Sequence, residues 1–134
     1  MKLKKILPFL LALTIVVGCG ESGPKVSDAD KASQKQFGDL AAMNGLEKMK
    51  IMLQKTPSLV HSNINGKNQE RPLHWAAWQG QLEVAKVLVA RGAEINKPNI
   101  SNHTPLDRAI NDGKPEVEKY LISIGAKQFE DLPK

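Results

Sequence analysis

A single cysteine, Cys19, stands in a chain of 134 residues, so no disulfide can form within the molecule and packing alone must hold any folded part. The longest apolar run, Ile6 to Val17, has only 12 residues and contains Pro8 and Thr14. A helix needs about 20 apolar residues to cross the hydrocarbon core, which argues against a transmembrane anchor. Only three histidines occur, His61, His74 and His103, and none has the i, i+4 or HExxH spacing that suits zinc. No glycine-rich loop that could cradle a phosphate is present. Strong net charge is also missing once the N-terminus is set apart. The chain carries 19 basic and 14 acidic residues, but Lys2, Lys4 and Lys5 precede the apolar run; without them the balance is 16 to 14, a net +2. The high pI is therefore mostly a property of the leader, and nucleic acid loses its main support as a partner.

The N-terminal third has its own logic. Three lysines, an apolar stretch of 12 residues and then small residues make an export signal, expected to span residues 1–18. The stretch VVGC at Val16 to Cys19 resembles the lipobox of bacterial lipoproteins. That resemblance implies lipidation at Cys19, which becomes the new N-terminus and holds the protein to a membrane through its acyl chains. Gly20 rather than aspartate after the cysteine implies passage to the outer membrane, on its periplasmic side. Residues 19–32, Cys19 followed by GESGPKVSDADKA, are small, polar and without repeating apolar spacing, and read as a flexible tether.

Residues 33–134 are expected to form the folded domain, because a repeat runs through them. RPLHWAAWQGQLEVAKVLVARGAEIN, Arg71 to Asn96, aligns with TPLDRAINDGKPEVEKYLISIGAK, Thr104 to Lys127. Pro72 and Pro105, Leu73 and Leu106, Ala76 and Ala109, Gly80 and Gly113, Leu88 and Leu121, and Gly92 and Gly125 are all 33 apart. Upstream, LAAMNGLEKMKIMLQK aligns through Ala41, Ala42, Gly45, Met49 and Leu53 at an offset of 35. A fixed period of this length means stacked repeats. Proline at a first helical position loses no hydrogen bond, so Pro72 and Pro105 start helices, and Thr104 can cap the second of these. Gly45, Gly80 and Gly113 read as left-handed ends of short first helices. Second helices are expected over Leu46–Lys55, Gln81–Arg91 and Pro115–Ile124, the middle one with a broad apolar face of Leu82, Ala85, Val87, Leu88 and Val89. Such faces are too wide to bury within one unit and must stack on neighbours. Ala41, Ala42, Ala76, Ala77 and Ala109 mark the line along which adjacent helices approach closely.

PLHWAA, LEVAKVLVARGAEIN and TPLDRAI resemble the ankyrin repeat, TPLHxAAxxGxxxVVxxLLxxGAxxN, over roughly Phe37 to Lys127. The resemblance implies an all-α solenoid of about three helix-turn-helix units joined by hairpin-like finger loops. It also implies that variable side chains of the first helices and finger tips contact a protein partner. On that basis the candidate binding residues are Met43, Asn44, Trp78, Gln79, Asn111 and Asp112 along the groove, with Lys67, Asn68, Glu70, Ile100, Ser101 and His103 on the fingers. Trp75 takes the family's leucine position and is expected in the interior. For Trp78 two readings stay open: recognition of a partner, or capping of the core under the first finger.

Departures from the pattern carry information. Arg71 replaces the usual threonine, so the finger before His74 is expected to be looser. Asp107, Arg108 and Ile110 replace histidine, leucine and alanine in the last unit, which suits a terminal cap. His74 itself is explained by the motif as a structural bridge. Candidate carboxylate pairs such as Asp107 with Asp112 fall on helix surfaces with no pocket implied, so catalysis, a cofactor and a metal site are not expected. The expected function is a monomeric, lipid-anchored protein-interaction module in the bacterial envelope. The alternative is an immunity or inhibitor protein that neutralises a toxin or exported enzyme.

Overall fold

A computed structural model describes residues 28–43, 45–64 and 66–134. The expected signal, Cys19, the first part of the tether, Asn44 and Asn65 lie outside these described residues. Among them there are six α-helices and no strand: α1 Asp28–Ala42, α2 Leu46–Lys55, α3 Pro72–Gln79, α4 Leu82–Ala90, α5 Pro105–Asn111 and α6 Pro115–Ser123. Short 3₁₀ turns follow at Pro57–His61 and Phe129–Asp131.

The helices pair as α1 with α2, α3 with α4, and α5 with α6. Inner helices stack as α1, α3, α5 and outer ones as α2, α4, α6, the stacked solenoid expected from the period. Phe37, Met49, Leu53, Leu73, Val84, Leu88, Val117 and Leu121 form one continuous core through all three units. Ala76, Ala77 and Ala109 have no exposed surface. Their small side chains are what lets α3 and α5 come together; added volume at such a place costs about 1–3 kcal/mol.

Local chemistry sets the helix ends. Pro72, Pro105 and Pro115 each stand in a first turn, where the missing amide would have had no partner. Thr104 caps α5: its Oγ1 accepts the Asp107 amide at 3.2 Å, and Asp107 Oδ2 accepts the Thr104 amide at 2.8 Å. Gly80 sits at φ 72°, which favours glycine; a Cβ there would lie 2.9 Å from Lys114 Cδ, a flexible side chain that can move aside. Gly45 is different from its expected role. Its φ is −77°, so no left-handed residue is needed; glycine is present because a Cβ would come within 2.8 Å of Leu40 Cδ2.

Two further expectations change. Helix α1 begins at Asp28, so the last residues of the stretch read as tether are helical. The sequence DADKASQKQ holds no glycine or proline, and its Ala, Lys and Gln favour helix once Phe37 is buried. The finger at Arg71 is tied down rather than loose. The Arg71 guanidinium donates to the His61 carbonyl at 3.0 Å and pairs with Glu94 at 3.0 Å, restraining the finger through contacts a hydroxyl there would not make.

Candidate interaction surface

The inner helices present one row of side chains outward. Met43, at the end of α1, is 80 % exposed; Trp78, near the end of α3, is 39 % exposed; Asn111, the last residue of α5, is exposed as well. Trp78 leans edge-on against Trp75, with ring centroids 4.9 Å apart and planes at 83°. This arrangement favours both rings and holds the Trp78 side chain in place while leaving a large apolar surface in water. Trp75 is half-buried rather than fully interior, and its indole N–H is buried with no hydrogen-bond partner among the described residues.

The second row holds Gln79 and Asp112, both half-buried. Gln79 Oε1 accepts from Gln81 Nε2 at 2.6 Å, while Asp112 ends α5 with Oδ2 buried and without a partner among the described residues. On the fingers, Lys67, Ile100 and Ser101 are exposed, and Asn68 and His103 are half-buried. The Asn68 carbonyl accepts the Ile100 amide at 3.1 Å and so joins the two fingers.

Glu70 must be removed from the candidate surface. It is buried, its carboxylate paired with Arg108 and in contact with Asn99 Nδ2 at 3.4 Å. Asn99 Oδ1 in turn accepts the amides of Ser101 and His103 at 3.0 Å each. Arg108 holds the position that Trp75 holds one unit earlier, so a partly buried cation stands there and draws a carboxylate from the preceding finger to neutralise it. The sequence carried a signal for this: a charge at an apolar position demands a counter-charge.

His74 lies beside this pair with 1 % of its surface exposed. Its Nδ1 accepts the Arg71 amide at 3.2 Å, and its Nε2 faces the His103 carbonyl at 3.1 Å. Only the neutral ring with the proton on Nε2 satisfies both contacts. Burial lowers its pKa to about 4, against the opposing pull of the His103 carbonyl and the Glu70 charge. In the last unit Asp107 stands in the equivalent place and turns the same bridging task to the C-terminus: Oδ2 also accepts the Phe129 amide, at 3.0 Å. This contact pins the final 3₁₀ turn beside α5. A polar cleft of about 320 Å³ results, lined by residues that include Asn102, Asp107, Asn111, Phe129 and Glu130.

Among the described residues, no group of His, Cys, Asp and Glu is arranged to hold a metal ion, and no helix is long and apolar enough to cross a membrane. Residues 39–130 match the family model described as ankyrin repeats in three copies. The chain belongs to the ankyrin-repeat family. Ankyrin repeats are protein-interaction modules, typically without catalysis, and protein partners are what the fold implies. Among relatives, ankyrin repeat domain-containing protein 37 of Bos taurus is 33% identical over 109 residues, covering 81% of this chain and 67% of its own length. A putative ankyrin repeat protein of Rickettsia bellii is 34% identical over 99 residues, covering 69% of this chain and 58% of that protein. Protein phosphatase 1 regulatory subunit 27 of Homo sapiens is 46% identical over 54 residues, 40% of this chain and 35% of that protein. The chain thus spans only about a third of that last relative.

Proposed function

We propose that this ankyrin-repeat protein is held to the bacterial outer membrane, facing the periplasm, by lipid on Cys19, and there grips a protein partner as a monomer. The observation that carries the binding surface is Trp78, braced by Trp75, in one row with Met43 and Asn111 on the inner helices. A rigid indole buries much area at small entropic cost when a partner covers it, and a flexible thioether beside it adapts to the partner's shape. The anchor rests on the basic leader, the apolar run and VVGC in the sequence.

Affinity capture with the purified protein, wild type against Trp78→Ala, tests the surface. Loss of a specific protein from the Trp78→Ala capture is the expected result; equal recovery by both forms would reject the groove. Replacing Cys19 by Ala is expected to release the protein from membranes, and continued retention would reject the anchor.

A further inference from the structure

The cleft at the C-terminal end of the groove carries two carboxylates in its lining. Asp107 and Glu130 contribute carboxylates, Asn102, Asn111 and Gln128 contribute neutral side-chain amides, His103 contributes an imidazole, and none of the lining residues is lysine or arginine. Asp107 is held rigid by the Thr104 and Phe129 amides at 2.8 and 3.0 Å, and Glu130 is exposed at the rim. The Phe129 ring, also in the lining, is more than a third exposed. A planar cation fits this set: its N–H groups meet carboxylates in pairs, and its face stacks on an aromatic ring. A point-like ammonium would use only part of it.

The cleft also has a fixed relation to the apolar row. Asn111, in its wall, is the equivalent of Trp78 one repeat along, and α3 and α5 pack directly on each other. Neighbouring helices lie about 8–10 Å apart. An extended chain covers that distance in about three residues.

We infer that the groove recognises a partner segment carrying an apolar anchor, seated on Trp78, and an arginine three residues away, seated in the cleft between Asp107 and Glu130. This rests on the groove reading above and adds the chemistry of the partner. Charge complementarity selects arginine, and the repeat spacing selects its distance from the anchor.

A random peptide library displayed on phage, panned against the purified full chain, tests the inference. Enriched peptides are expected to share an apolar residue and an arginine three positions apart. For one such peptide, followed by fluorescence anisotropy, changing its arginine to alanine weakens binding about tenfold, as does Glu130→Gln in the protein. The two changes together cost no more than either alone, because they remove one contact. Peptides without the arginine register, no enrichment at all, an unaffected Glu130→Gln protein, or free arginine competing as well as the peptide would each overturn the inference. Trp78→Ala separates the two levels: if the selected peptides lack the arginine register yet lose binding to it, the groove survives while the cleft assignment falls. If none does, both fall.

Discussion

Lowering the pH from 7 to 5 should destabilise this protein through His74. In the folded state both ring nitrogens are committed, and Nδ1 accepts a backbone amide, so a proton there would set two donors against each other. The folded pKa is about 4, against 6.5 for a free histidine. Between these values the unfolded chain binds more protons than the folded one, so stability rises with pH across the window and is fully present above it. At pH 5 the deficit is about 2 kcal/mol, growing to about 3 kcal/mol near pH 3.5, since one pKa unit corresponds to about 1.4 kcal/mol. Three stacked units are expected to hold about 5 kcal/mol or less in total, so the loss is a large fraction. Urea unfolding followed by the fluorescence of Trp75 and Trp78 at pH 7 and pH 5 measures it. His74→Gln is the control: it should lose about 1–3 kcal/mol at pH 7, because two buried backbone groups lose their partner, and then show a much flatter pH dependence. If the wild type loses less than about 0.5 kcal/mol on acidification, or if His74→Gln keeps the same slope, the assignment of the titration to His74 is wrong.

Other perturbations follow from the same contacts. Glu70→Ala leaves the partly buried Arg108 guanidinium without its carboxylate and should cost about 1–3 kcal/mol, read as a lower denaturation midpoint, whereas a surface glutamate would cost almost nothing. Gly80→Ala forces a side chain into a left-handed turn against Lys114 and should cost about 1–2 kcal/mol by thermal melting. Ala76→Leu overpacks the seam between the inner helices, with an expected loss of about 1–3 kcal/mol. Trp78→Ala should weaken partner capture while shifting the midpoint less than Ala76→Leu, since its ring is partly in water.

Histidine 74 and glutamate 70 divide what could be read from the chain from what could not. His74 was legible as a bridge because it belongs to a motif whose contacts are made again in each unit. Glu70 was misplaced on the finger tip because the residue that pulls it inward, Arg108, lies 38 positions away in another unit. Gly45 repeats the lesson locally: it aligns with Gly80, yet it serves close approach to Leu40 rather than a positive φ. Arg71 departs from the repeat pattern, and its compensation came from His61 and Glu94, neither of which the pattern marks.

By itself the sequence determined the number of units, the helix starts at proline, the alanine seam and the all-helical class. Each of these depends on chemistry that recurs at a spacing of about 33, so local propensity and nearest-neighbour stacking are enough to specify it. The tertiary structure alone decided which charge is buried, how Trp75 braces Trp78, and that Asp107 pins the chain end to leave a cleft beside the groove. Those outcomes depend on where side chains from different units meet in space, and a one-dimensional period says nothing about contacts that occur only once.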